Sequence, residues 1–261
     1  LMPNFGISAS YTFRTIGNFN WRPIRKVGGG VVTGADYVQL GTVSGSLPTG
    51  FDGTVGGTYS VPYYGITNSA LYPSSKGTLY QTRDGYSQKY QGFEVSATKR
   101  MSNRWMARFG FSTNSWREYF DSKAAMTNPT HLVGAPAIDG GYVVSAAGGS
   151  GKSGIYMVQP KYQIVANGAY QLPHQIDLGV SYLIRQGYPM PWYKVTTKTG
   201  NLLAQNQSLL LVPDFGQDRL PATQTLDMRI GKTLKFNRVT MNVDFDIFNL
   251  FNSPTVLGRQ Y

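Results

Sequence analysis

Residues 226–252 read LDMRIGKTLKFNRVTMNVDFDIFNLFN, two alternating runs separated by a tight polar turn. In the first run Leu226, Met228 and Ile230 share one face, while Asp227, Arg229 and Lys232 carry the polar signal. In the second, Val239, Met241, Val243, Phe245 and Ile247 share a face, opposed by Thr240, Asn242, Asp244 and Asp246. Successive side chains point to opposite faces of a strand, so period-two patterning on both sides of a turn predicts an antiparallel hairpin with two chemically different faces. The polar side carries too much charge for a packed sandwich core, and the apolar side is too continuous for a sheet face in water. A wall between lipid and a polar lumen satisfies both conditions.

The pattern recurs along the chain. Residues 4–14 form a first strand, with Phe5, Ile7, Ala9, Tyr11 and Phe13 on one face. Residues 86–120 form a second hairpin: Phe93, Val95 and Ala97 oppose Glu94, Ser96 and Thr98, and after a turn at 101–103 Trp105, Ala107, Phe109 and Phe111 oppose Arg108, Gly110 and Ser112. Trp116 has the opposite parity and stays unassigned. Residues 154–189 hold a third hairpin, with arms expected at 156–171 and 176–186 about a turn at 172–175. There Tyr162, Ile164 and Tyr170 share parity, and Leu178, Val180, Tyr182 and Ile184 oppose Asp177, Ser181 and Arg185. Tyr162 and Tyr170 lie roughly 26 Å apart along a strand. At a tilt of about 40° that spans roughly 20 Å of depth, close to the lipid-facing band between aromatic girdles.

Short turns (101–103, 172–175 and 236–238) alternate with long excursions at about 15–85, 121–153 and 187–220. The excursions are rich in Gly, Ser, Thr, Pro and Tyr, with β-prone pieces at 31–43, 54–64 and 202–212. Short turns on one side and long loops on the other characterise outer-membrane barrels, with the long loops outside. The fold class expected is therefore all-β: an antiparallel transmembrane β-barrel with long outer loops.

Composition narrows the classes. Charged residues are only 14% of the chain, against about 25% in ordinary soluble domains. Aromatics reach 13%, including 18 Tyr. Mean hydropathy is −0.25, and no run approaches the ~20 apolar residues of a spanning helix. With no cysteine, disulfides, thiolate metal sites and Cys nucleophiles are excluded. The net charge of +11 is spread over single Lys and Arg residues with no basic run, which argues against nucleic acid and fits outer-membrane lipid and the phosphates of lipopolysaccharide. The opening LMPNFGISAS has no secretory leader, so a mature chain or a piece of a longer one is expected.

Three segments in order, GFEVSATKRMSNRW, GAYQLPHQIDLGVSYLIRQGYPMPW and LDMRIGKTLKF followed by DFDIFNLFN, resemble the C-terminal part of the barrel of TonB-dependent outer-membrane receptors, in particular the Oar-like branch. The piece 246–252 is similar to the NLF(N/D) element near the end of such barrels. The resemblance implies a portion of a barrel of about 22 strands, of which about eight are legible here. It implies a plug domain elsewhere in the same full-length protein, energy delivered by TonB through that plug, and import or export of a large solute. No reaction, cofactor or metal is implied. Two other classes fit the composition: a passive or structural barrel serving as adhesin or anchor, and a secreted β-sandwich binding module.

The candidate residues follow from this reading. Tyr59, Tyr63, Tyr64 and Tyr72 form an aromatic loop cluster that could contact ligand by stacking, or simply order the loop. Glu94, Arg108, Asp177, Arg185, Asp227, Arg229, Asp244 and Asp246 are candidate lumen-lining residues. AAGGSGKS at 146–153 narrowly misses a phosphate-binding loop, because Ala146 stands where the first Gly is needed. His131 and His174 have no ligand-spaced partners, and no nucleophile motif supports catalysis.

Overall fold

The computed structural model describes residues 4–49, 56–68, 71, 77–144, 152–153, 156–157, 160–196, 206–254 and 256. Seven strands form one antiparallel sheet: β1 (Phe5–Ile16), β2 (Tyr86–Ser102), β3 (Trp105–Phe120), β4 (Tyr162–Leu172), β5 (Ile176–Arg185), β6 (Thr223–Phe236) and β7 (Val239–Ile247). Each strand pairs with the next in sequence, so the sheet is a pure meander with β1 and β7 at its edges. The sheet is open: these edge strands do not pair with each other. Helix is confined, among the described residues, to three-residue 3₁₀ turns.

Three tight turns lie at one end. Asn103 and Arg104 both take positive φ (51° and 69°), the type I′ geometry whose twist matches that of the flanking strands. His174 and Gln175 (both 63°) and Asn237 (48°) also adopt the left-handed region at the other two turns. These turns climb across the sheet. Trp105, Tyr170, Leu178 and Ile230 sit in one cross-strand row, yet the third turn begins at Phe236, six residues beyond that row and four strands away. That is about 20 Å along the strands against about 19 Å across them, a tilt of about 45° if the turns share a level. Barrel strands tilt by about this much, and a flat, upright sheet would show no such stagger.

Register carries each face across the whole sheet. Ile7, Ala97, Phe109, Ala166, Tyr182 and Leu226 form one continuous row, as do Ala9, Val95, Phe111, Ile164 and Ile184. This apolar face is uncovered: Tyr11 and Phe245 are each 64% exposed, and Ile7, Phe109, Tyr170, Ile230 and Val243 are exposed as well. No second sheet packs on it among the described residues, which a sandwich would require. Lys232, expected on the polar side, lies on the apolar one between Ile176 and Val243. It sits close to the tight turns, and its amine reaches the His174 carbonyl, so its alkyl stem lies along the apolar face while the charge leaves it. Lys99 behaves likewise at the first turn, with its amine on the Arg100 carbonyl and 4.8 Å from the Trp105 ring centroid.

The buried core lies in the excursions instead. Leu47 from the first, Val133, Ile138 and Val144 from the second, and Trp192, Leu210, Val212 and Phe215 from the third pack into one cluster. A second cluster joins Phe19, Tyr86, Phe120, Ala125, Met126 and Ala137. Short hairpins stiffen this cap, Val38–Ser46 with Thr58–Gly65 and Tyr193–Thr196 with Gln207–Leu210. Two expected boundaries shift as a result. β4 starts at Tyr162 rather than 156, because alternation continues past the point where β3 stops pairing with it. Of the strand expected over 202–212, Gln207–Leu210 is described as strand and belongs to the cap, so the wall holds, among the described residues, seven strands rather than about eight.

Candidate functional site

The polar face gathers the charged candidates. Ser10, Glu94, Ser112, Gln163, Arg185 and Thr223 occupy one cross-strand row. Two rows nearer the turns stand Thr98, Arg108, Asn167, Ser181 and Asp227. Glu94, Arg108, Ser8, Ser10, Ser96 and Ser112 line a cleft of about 470 Å³ whose floor includes Gly110. A Cβ at Gly110 would meet nothing within 4 Å, so any side chain there would project into open cleft. Trp116 pairs with Tyr90 beyond these rows, with no bulge between, and therefore lies on the polar side.

The remaining charged candidates have individual partners. Arg229 and Asp246 face each other across β6 and β7 in a bidentate pair, with nitrogen–oxygen distances of 2.6 and 2.8 Å. Asp227 accepts a hydrogen bond from the Asn249 amide at 2.8 Å. Asp177 and Asp244 flank Gly231, where a Cβ would come 2.6 Å from a carboxylate oxygen of Asp244. Arg185 turns toward the cap and donates to the Tyr188 hydroxyl at 2.6 Å. No group of three or more metal-ligating side chains forms among the described residues.

The asparagines of 246–252 act on the backbone. Asn249 and Asn252 hold positive φ (49° and 47°), Leu250 donates to the Leu226 carbonyl at 2.8 Å, and the Asn249 side chain accepts from Ser253 at 3.1 Å. The element is thus a strand-end turn, and Asn suits it because its short amide tolerates left-handed backbone and caps locally. Phe251 then lies edge-on to Tyr182, with centroids 6.4 Å apart.

The loop tyrosines divide. Tyr59 and Tyr63 lay their rings across Gly45 and Gly41 on the neighbouring strand, leaving no room for a Cβ at either glycine. Such ring-over-glycine packing fills the gap in a strand and orders the hairpin. Tyr64 lies on the other face, with its carbonyl accepting from Gln207 at 2.8 Å and its ring 5.0 Å from the Lys123 amine. Tyr72 lies outside the described residues, as does most of 146–153. His131 is in the cap, where burial lowers its pKa and its carbonyl accepts from Leu210.

Sequence reasoning missed a buried polar centre where the wall enters the cap. Glu118 and Tyr86 stand at the far ends of β3 and β2, seven residues beyond the last apolar wall positions Phe111 and Phe93, and so beyond the apolar band of the sheet. The Tyr86 hydroxyl donates to Glu118 at 2.9 Å and accepts from Gln88 at 2.7 Å. Arg83 stacks 3.9 Å above the Tyr86 ring and donates to the Ala125 carbonyl at 2.8 Å, joining two excursions. Burial raises the Glu118 carboxyl, against the pull of the Tyr86 hydrogen bond and Arg83, and pushes the Tyr86 phenol up to about 12. A carboxyl raised in the folded state favours folding while protonated and loses that contribution as pH rises. Cap stability should therefore fall as pH climbs above about 4.5, the ordinary carboxyl value. Glu118→Gln should flatten that slope, measured as protease resistance of the cap between pH 4 and pH 8. An unchanged slope in the variant would assign the dependence elsewhere.

The molecule these elements define is an all-antiparallel β wall with one apolar face, one polar face and a packed loop cap. No family model matches the chain, and no curated protein matches it. Among solved structures it is similar to the crystal structure of the outer membrane transporter YddB from Escherichia coli, at 12% sequence identity and a TM-score of 0.45. The match covers 100% of this chain and 28% of that one, so the chain spans less than a third of the transporter's length.

Proposed function

We propose that the chain is part of the barrel wall of a TonB-dependent outer-membrane transporter, moving a large solute across the outer membrane without catalysing a reaction. One observation carries the reading. A single sheet joins an uncovered apolar face, whose Lys99 and Lys232 lie near the tight turns, to a polar face, with turns staggered for a strand tilt of about 45°. A sheet of this kind with unpaired edges is costly in water and in lipid alike, and closure with further strands relieves both. The apolar face meets lipid, the cap faces outward toward lipopolysaccharide, and the polar face lines a lumen shared with the plug of the same full-length protein. TonB, acting through that plug, supplies the energy.

Expression of the full open reading frame tests this in two stages. The protein should fractionate with the outer membrane and migrate differently before and after heating in detergent; recovery as a soluble protein would sink the barrel. Solute uptake or release should then stop when TonB is removed. Continued function without TonB would leave the passive or structural barrel as the better account.

A further inference from the structure

The tight-turn end of the polar face carries cations that no described residue neutralises. Arg104, in the first turn, and Lys235, near the end of β6, border a cleft of about 520 Å³ together with Gln171, His174, Gln175 and Asp177. Neither cation makes a side-chain hydrogen bond or ion pair to any described residue. Arg100 and Arg238 lie exposed at the same end, and Asp177 is the sole carboxylate of the cleft. The contrast with Arg229 is informative: that guanidinium is engaged by both oxygens of Asp246. Two cations and two glutamines border one cleft, where they offer many donors and only one competing acceptor charge.

From this arrangement we infer that the turn-side mouth of the polar face binds a phosphate group, with Arg104 and Lys235 as the charge-bearing contacts and Gln171 and Gln175 as added donors. A phosphate carries nearly two charges and three acceptor oxygens, which matches paired cations better than a carboxylate does. Asp177 weakens the site through like-charge repulsion and keeps binding reversible. The barrel reading supplies only the level at which the group is met, the lumen mouth on the short-turn side.

The test uses the full-length chain refolded in an uncharged detergent, titrated with inorganic phosphate at constant ionic strength and followed by phosphorus NMR. Saturable binding is expected. It should weaken about tenfold in Arg104→Asn, whose residue accepts left-handed backbone, and again in Lys235→Gln. Asp177→Asn should tighten it. Non-saturable binding, or binding that survives the double variant, overturns the inference. Repeating the titration in nanodiscs of phosphatidylcholine with and without phosphatidylglycerol separates the sources. Competition by the anionic lipid identifies a headgroup as the natural occupant, and its absence identifies a soluble phosphorylated group. Heat-modifiable migration is checked on every sample. Saturable binding by a chain lacking it keeps the site and removes the barrel, and the reverse result keeps the barrel and removes the site.

Discussion

Val180→Arg is expected to destabilise the wall by about 2–4 kcal/mol where its apolar face meets lipid as proposed, the cost of an arginine on such a face near the bilayer midplane. Val180 is the middle residue of the apolar set of β5, in register with Gly168 and Met228 and bordered by Tyr170 and Leu178. It is 41% exposed with no protein covering it, so its environment is whatever surrounds the apolar face. Ser181→Arg, one residue on, places the same charge on the polar face beside Asn167 and Asp227 and should change stability by about 0.5 kcal/mol or less. Urea titrations of the full-length protein folded into lipid vesicles would measure both. A lipid-facing wall demands this asymmetry. A water-facing sheet predicts that Val180→Arg is neutral or improves solubility, and that result would overturn the orientation assigned to every strand.

The wall was legible in the sequence because its determinants are local. Alternation marks each face, and Asn at 103 and 237 marks turns that need left-handed backbone. Errors arose where residue type was read over parity or where a neighbour decides. Lys232 reads as polar by residue type, yet its parity and its closeness to the turns place it on the apolar face with its amine drawn to a carbonyl. The start of β4 depends on where β3 stops pairing, which the residues before 162 do not encode. The cap was opaque for a different reason. Its contacts join segments remote in sequence: Arg83 with Ala125, Gln207 with Tyr64, Leu47 with the cluster around Phe215. A stretch rich in Gly, Ser and Tyr shows no period that would reveal such closure. Tyr59 and Tyr63 stood out as candidate ligand contacts because aromatic residues in loops have two uses, and their glycine partners on the neighbouring strand show the ordering one.

Phe215→Ala should open the cap while leaving the wall intact. Phe215 is 2% exposed and packs in the cluster that gathers residues from all three excursions. Removing a fully buried aromatic side chain costs about 3–5 kcal/mol, the lost transfer energy together with the cavity left behind. Little backup exists nearby. Around Phe215 the third excursion closes through Met190 to Asp218 and Leu220 to Tyr188 hydrogen bonds, and Gly187 packs so tightly on Leu220 that no Cβ fits between them. The wall, by contrast, draws its cohesion from seven hydrogen-bonded strands whose apolar side chains contribute nothing to this cluster. Limited proteolysis of the full-length protein should therefore cut the variant within 121–161 and 186–222, while amides of β4 and β5 keep their protection from hydrogen exchange. Equal loss of protection in wall and cap would show one cooperative unit, and the cap would then have to be treated as part of the wall's own stability rather than as a separately folded layer upon it.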